Sequence, residues 1–356
     1  MAKVLMKGNE AIGEAAIRAG CLNYFAYPIT PQSEVAEYLS KRLPEVGGVF
    51  LQGESEVAVG YMIFGASGAG ERVMTTSSSP GISLMSEALS YIAAAHCPAV
   101  FVNIVRGGPG LGGILPSQGD YFQATKGGGH GDYHLLVLAP DGVQEAVEMT
   151  MQAFTLAEKY RNPVMVMGDG MIGQMMEPVE FPDDLKTEPT NKDAWATNGM
   201  STRKSKTPNL VKSLFLDSAE LNQNNLDLKA KYEQMKKEDV QYELYNADGD
   251  YQILIASYGT MSRVCRTAID MLKAEGIEAA MFRPKTLFPF PEKQVYDAAV
   301  KDSCKCVISI EMSMGQMVED VQRCVMGKKP VEFYGECGGE IPSPEKIIEI
   351  VKELIG

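Results

Sequence analysis

The sequence has 356 residues, enough for two domains with cores of their own. Hydrophobic residues make up 45% and charged residues 22%, as in an ordinary soluble globular protein. The net charge of −13 argues against a nucleic-acid surface, and no apolar run of about 18 residues is present to cross a membrane.

In chain order, the first 180 residues alternate helix and strand patterns. NEAIGEAAIRAG predicts a helix, YFAYPI a strand and SEVAEYLSKRL a helix. GGVFLQ reads as a short strand, SEVAVGYMIFGASGAG as a helix of small residues, and RVMTTS as a strand. ISLMSEALSYIAAA and VQEAVEMTMQAFTLAEKY are helical, while PAVFVNIV, HLLVLA and NPVMVMG are buried strands. Short apolar strands alternating with helices indicate a parallel, doubly wound α/β sheet, whose ligands bind at the carboxyl ends of strands.

From about Glu177 the chain becomes rich in Pro, Asp, Lys and Thr without period, which reads as a linker. Within it, ELNQNNLDLKAKYEQMKKEDVQYELY predicts a polar, largely exposed helix. A second α/β unit starts at YQILIASYG and runs to EKIIEIVKELIG. The expected division is residues 1–180, 181–249 and 250–356. The run FRPKTLFPF is expected to be exposed, as an interface or as packing of the second unit.

The seven cysteines, Cys21, Cys97, Cys265, Cys304, Cys306, Cys324 and Cys337, are an odd and scattered set. MAKVLMKGNEAIGEAAIRAG holds no signal-like apolar segment, so they read as reduced thiols of a cytoplasmic protein. No C-x-x-C pair or iron–sulfur ligand run is present. If the protein handles electrons, the clusters must sit on another chain.

Five stretches are chemical candidates. GPGLGG, at Gly108–Gly113, fits the dinucleotide pattern after a strand, but Pro116 stands where the phosphate-binding helix would begin. A loop that lays Arg106, Gly107 and Gly108 against an anion fits better, since a guanidinium matches a carboxylate or phosphate. GDG, with Asn198 further on, resembles the pattern by which thiamine-diphosphate enzymes hold Mg²⁺ on the diphosphate. The linker-like composition between them argues against it, and Asp169 reads as a turn residue. In QGESEVAVG, Glu54 and Glu56 open a helix, as dipole partners or, for Glu56, as a buried carboxylate in need of a partner. In YPITPQSE, two prolines stiffen a turn that displays the Thr30 hydroxyl, and Ser33 is the expected N-cap of the next helix. KGGGHGDYH holds His130 and His134 but lacks metal-ligand spacing, so it reads as a loop and no metal is assigned.

YPITPQSE, GESEVAVGYMIFGASGAG, NIVRGGPGLGG with SQGDYFQA, and KGGGHGDYH occur in that order. Together they resemble the α subunits of 2-oxoacid:ferredoxin oxidoreductases, over essentially the whole chain, with the 2-oxoisovalerate type nearest. The resemblance implies a thiamine-diphosphate pyrimidine-type domain followed by a transketolase C-terminal-like domain. It implies that Glu56, with Glu54 in reserve, holds N1′ of the aminopyrimidine and promotes loss of the thiamine C2 proton. Pro28, Ile29 and Thr30 would line the cofactor. Thr30, Arg106, Gly107 and Gly108 would meet the oxoacid, and Asp120, Lys126 and His130 would be loop contacts. The diphosphate and Mg²⁺ would sit on a β subunit and [4Fe–4S] clusters on partner subunits, with γ and ferredoxin-like subunits completing the assembly. Coenzyme A would take the acyl group and ferredoxin the electrons. The branch stays open between branched-chain oxoacids, 2-oxoglutarate and pyruvate. Two other readings also stay open: a nicotinamide-dependent dehydrogenase using GPGLGG, and a non-catalytic assembly subunit.

Overall fold

A computed structural model describes residues 3–182, 191–199 and 207–356. The chain opens with β1 (Val4–Lys7) and α1 (Gly8–Arg18). It then alternates β2 (Asn23–Ala26), α2 (Ser33–Glu45), β3 (Val49–Gln52), α3 (Glu56–Gly68), β4 (Val73–Ser77), α4 (Ser79–Ala94) and β5 (Ala99–Val105). α5 (Tyr121–Lys126), β6 (Leu136–Leu138), α6 (Val143–Tyr160), β7 (Pro163–Asp169), α7 (Gly170–Gln174) and β8 (Met176–Val179) follow. Next come α8 (Ser218–Glu238) and β9 (Tyr242–Tyr245). The remainder is β10 (Ile253–Ala256), α9 (Gly259–Ala274), β11 (Ala279–Pro284), β12 (Thr286–Phe288), α10 (Glu292–Ala299), β13 (Cys306–Glu311), α11 (Met317–Val325), β14 (Val331–Gly335) and α12 (Pro344–Ile355).

Strands β4, β5 and β7 are buried at every residue, as their unbroken apolar or small-residue runs require of a sheet covered on both faces. They form the centre of a seven-stranded sheet ordered β12-β6-β7-β5-β4-β2-β3, parallel except for β12. The loops that follow β2, β3, β4 and β5 therefore leave the same edge of the sheet. A second sheet is ordered β14-β13-β10-β11-β9, parallel except for β9. One face of this sheet packs α9 and α12 over Ile253, Ile255, Ile308 and Ile310.

Several expectations need correction. FRPKTLFPF is buried, not exposed: Arg283 and Leu287 are each 1% exposed, and Phe288 only 8%. The run ends β11 in the second sheet and crosses to the first, where β12 pairs antiparallel with β6. The linker begins with structure, because β8 pairs antiparallel with the unanticipated β1. The polar helix ends at Glu238, and YELY is a strand on β11. The helix is largely exposed, as expected, and docks through the buried Leu228, Tyr232 and Met235. Residues 183–190 and 200–206 of the linker lie outside the described residues. No described helix is long and apolar enough to cross a membrane.

Candidate active site

Glu56 is the first residue of α3, behind Ser55, whose Oγ caps the helix by accepting from the Ala58 amide at 3.2 Å. It is 7% exposed, and no hydrogen bond to its carboxylate is made among the described residues. Its neighbour is the start of α4. A Cβ built on Gly81 would lie 2.8 Å from Glu56 Oε1 and 2.1 Å from Ser77 Oγ. The missing side chain at residue 81 therefore makes room for the carboxylate. Ser77 Oγ and Asn103 Oδ1, on adjacent buried strands, also have no hydrogen-bond partner. Glu54 is exposed.

Arg106 follows β5 and is 6% exposed. Its Nη1 donates to the Thr30 carbonyl at 2.9 Å and its Nη2 to the Leu111 carbonyl at 3.0 Å, while Nε is buried without a partner. Its own backbone is stitched to α4, with the amide donating to Ser79 Oγ at 3.1 Å. One guanidinium thus ties the turn after β2 to the glycine loop after β5. Thr30 and Pro28 are exposed and Ile29 half-buried. Ser33 is not the N-cap: Gln32 precedes the helix, and no side chain caps it. The Gln32 side chain is fully buried and accepts from Thr76 Oγ1.

The glycine loop closes on itself. Gly107 donates to Leu115 O at 3.1 Å and Gly113 donates to Gly107 O at 2.8 Å. Gly112 has φ +60, and a Cβ there would strike Gly107 O. No helix starts before α5 at Tyr121, so the phosphate turn of a dinucleotide fold is missing. Leu111 is 82% exposed at the tip.

Other candidates have structural partners. Asp120 accepts from Asn103 Nδ2 at 2.9 Å, and burial raises its pKa against the pull of Ser79 and Asn103. Lys126 is paired with Asp320 of α11 at 2.6 Å, so its charge ties the two sheets together. His130 is exposed, with its ring edge-on to Tyr91 and its carbonyl held by Ser90 Oγ at 2.6 Å. His134 stacks on Phe288 at 4.3 Å. Asp169 spends its Oδ1 on the Met171 and Ile172 amides, capping α7, and Asn198 donates to Asp193. Among the described residues, no group of three or more His, Cys, Asp or Glu is placed to hold a metal. Six cysteines are buried and Cys337 is exposed.

Sequence reasoning assigned no role to Gly81, Ser77 or Gln118. Gln118, 2% exposed, joins the units through four bonds: its amide donates to Met312 O at 2.8 Å, its Nε2 to Tyr258 O at 2.7 Å, its Oε1 accepts from the Met312 amide at 2.9 Å, and its carbonyl accepts from the Tyr258 hydroxyl at 3.3 Å. The serine run before Gly81 was the one available signal for that turn.

A carboxylate unpaired beside a glycine cradle, with orphaned hydroxyl and amide groups nearby, fits the polar edge of an aminopyrimidine. Residues 14–243 match the family described as pyruvate flavodoxin/ferredoxin oxidoreductase, thiamine diphosphate-binding. Residues 252–347 match pyruvate:ferredoxin oxidoreductase core domain II. The chain belongs to the 2-oxoacid:ferredoxin oxidoreductases, as an α-type subunit.

Among its relatives, the ketoisovalerate oxidoreductase subunit VorB of Methanothermobacter thermautotrophicus is 46% identical over 100% of this chain and 99% of that protein. The 2-oxoglutarate synthase subunit KorA of Archaeoglobus fulgidus is 37% identical over 98% of each. The solved 2-oxoglutarate:ferredoxin oxidoreductase of Magnetococcus marinus, with 2-oxoglutarate, coenzyme A and succinyl-CoA bound, is 29% identical with a TM-score of 0.86. That match covers all of this chain and 66% of the other. A split-gene transketolase shares the fold at 13% identity, TM-score 0.61, over 98% of both chains.

Proposed function

We propose that this chain is the α subunit of a thiamine-diphosphate-dependent, coenzyme-A-acylating oxidoreductase. It converts a branched-chain 2-oxoacid to acyl-CoA and CO₂ and passes the electrons to ferredoxin. The observation that carries the reading is the buried Glu56 carboxylate, left without a partner over Gly81. The branched-chain assignment is supported by the ketoisovalerate relative.

When bound, thiamine diphosphate supplies the carbon nucleophile and the electron sink for decarboxylation. The chain's own part is to hold the pyrimidine half. Glu56 would hold N1′ by sharing a proton with it, which would favour the imino form of the ring. Low exposure keeps water from competing for that bond. Arg106 keeps donors in reserve, Nε among them, for a substrate carboxylate, and Thr30 offers its hydroxyl from the turn that Arg106 holds. Gly107 and Gly108 let the backbone approach the same anion.

The diphosphate and Mg²⁺ are assigned to a β subunit, because Asp169 is already committed to capping α7. Helix α3 supports a partner on this side. It is apolar nearly all round, yet Val57, Tyr61 and Gly65 form an exposed stripe. Clusters are assigned to partner subunits, with γ and ferredoxin-like subunits and ferredoxin itself as the acceptor.

The test is a native pull-down of this chain, assayed for oxoacid- and coenzyme-A-dependent viologen reduction over a substrate panel. Reduction by 2-oxoisovalerate in a brown complex is the expected result. A preference for 2-oxoglutarate or pyruvate overturns the branch and keeps the mechanism. A colourless, solitary and inactive chain overturns the whole reading.

A further inference from the structure

The turn from Tyr27 to Pro31 carries Thr30, and its carbonyls are held largely from outside the turn. Two prolines remove amide donors, so the turn can do little to hold itself. Ile29 O accepts from the Gln32 amide at 3.1 Å, and Thr30 O from Arg106 at 2.9 Å. The Pro31 carbonyl receives two side-chain amides. Asn9 Nδ2 lies 2.8 Å away and Gln174 Nε2 3.2 Å away. The same two amides grip both oxygens of Glu34: Asn9 reaches Oε2 at 2.9 Å, and Gln174 reaches Oε1 at 2.8 Å.

This convergence is built by close packing. Asn9 comes from α1 and Gln174 from α7, and the helices meet through two glycines. A Cβ on Gly8 would fall 1.9 Å from Ile172 O, and one on Gly173 would fall 2.7 Å from Asn9 Oδ1. Asn9 is fully buried, and its Oδ1 has no partner. An orphaned buried oxygen costs stability, so an amide at this position is a poor choice for packing alone. Helix α7 is itself capped by Asp169, whose Oδ2 lies 3.9 Å from where a Cβ on Gly259 would be, at the start of α9.

We propose that Asn9 and Gln174 are positioning residues for the reaction: through the Pro31 carbonyl they fix Thr30 in the turn after β2. The proposal rests on the reading of the site given under Proposed function. The clamp is independent of Arg106, which holds the preceding carbonyl from the opposite loop. It also runs through α7, so the seating of the second unit against Asp169 bears on where Thr30 stands.

The experiment uses the full complex carrying Asn9→Ala or Gln174→Leu. Gln174 is exposed, so its variant folds even where the Asn9 variant does not. Oxoacid turnover per bound thiamine diphosphate should fall about tenfold for Asn9→Ala and about threefold for Gln174→Leu, as expected of a sub-ångström misplacement. The KM for coenzyme A should stay unchanged. Hydrogen exchange of the 27–34 segment should quicken in both variants, a readout that does not depend on activity. If turnover per bound cofactor and exchange at the turn match wild type, while only yield or melting temperature drops, the role is structural and the proposal is overturned. If the wild-type complex turns over no oxoacid at all, the reading of the site fails and the proposal falls with it.

Discussion

The Glu56 carboxylate occupies the volume that a side chain at Gly81 would fill, with Oε1 2.8 Å from that missing Cβ. A residue on α3 and the bare Cα of a residue on α4 thus share one space. The position of the carboxylate is set by an absence of atoms as much as by contacts.

Gly81→Ala should therefore act as an active-site substitution although it adds a single methyl group. The new Cβ would lie 2.1 Å from Ser77 Oγ and 2.8 Å from Glu56 Oε1, so both side chains must shift to admit it. Turnover should fall by about 10²-fold, the usual effect of a misplaced catalytic group. Steady-state kinetics of the assembled complex, with circular dichroism of the variant as a check on folding, would measure it. Unchanged turnover would place the working carboxylate elsewhere.

Glu56→Gln keeps the shape and removes the charge. Turnover should drop by about 10²–10⁴-fold, the range for loss of acid–base assistance. Exchange of the thiamine C2 proton, followed by NMR in deuterated buffer, should slow in parallel. Glu54→Gln, on an exposed residue, should leave both rates near wild type.

Arg106→Lys tests the fork. An ammonium cannot span the Thr30 and Leu111 carbonyls with the geometry of two Nη groups. We expect a raised KM for the oxoacid together with a lowered kcat, and faster proteolysis of the glycine loop. A change in KM alone would mean that the loop is held by other contacts.

Arg283 is 1% exposed and faces Asp141, Glu145 and Glu243. Burial by itself would raise the Asp141 carboxyl, yet Arg283 and Arg266 hold it below its ordinary value. Arg283→Met leaves these acids short of a counter-charge and should destabilise the chain by about 3–5 kcal/mol, read by urea unfolding. Because α6, β9 and β11 all contribute, the loss should appear as one transition rather than as release of the second unit.

Helix α8 docks in part through a half-buried base. Lys231 Nζ donates to Arg161 O at 2.9 Å and lies 2.8 Å from His96 Nδ1. Burial, then the charge of Arg161, pushes Lys231 down to about 7 from 10.5. Burial, then the charge of Lys231, pushes His96 down to about 4 from 6.5. Both are bases held below their unfolded values, so the unfolded chain binds more protons between each pair of values. Stability should rise with pH from about 4 to 6.5 through His96 and from about 7 upward through Lys231. Lys231→Met should flatten the upper slope in urea unfolding at pH 7 to 9. An unchanged slope would show that Lys231 titrates normally.

Much of the first sheet was legible because its strands are unbroken apolar runs between helices of regular period. Parallel order then puts Thr30, Glu56 and Arg106 just beyond the carboxyl ends of β2, β3 and β5, at one edge. What escaped was whatever depends on partners distant in sequence. The run KTLF carries no local mark that it pairs with β6 of the other sheet. VLMK and MEPV are too short for either period to register, and they are strands only because they face each other. In α8, three buried residues in a 21-residue polar helix leave too thin a stripe to see. Ser33 looked like a cap on spacing alone, but the turn before it is held from α1, α7 and the glycine loop. Asn9 carried no signal, since its meaning depends on a carbonyl 22 positions away.

Strand β12 also has a consequence for how the protein comes into being. The first sheet needs Thr286–Phe288 to cover the edge of β6, so its last strand is synthesised well over a hundred residues after that edge. During translation the β6 edge of the nascent first unit stays open, a template for mispairing with neighbouring chains. The first sheet thus receives its last strand through the second unit, and cutting the chain at the linker would leave β6 without that partner.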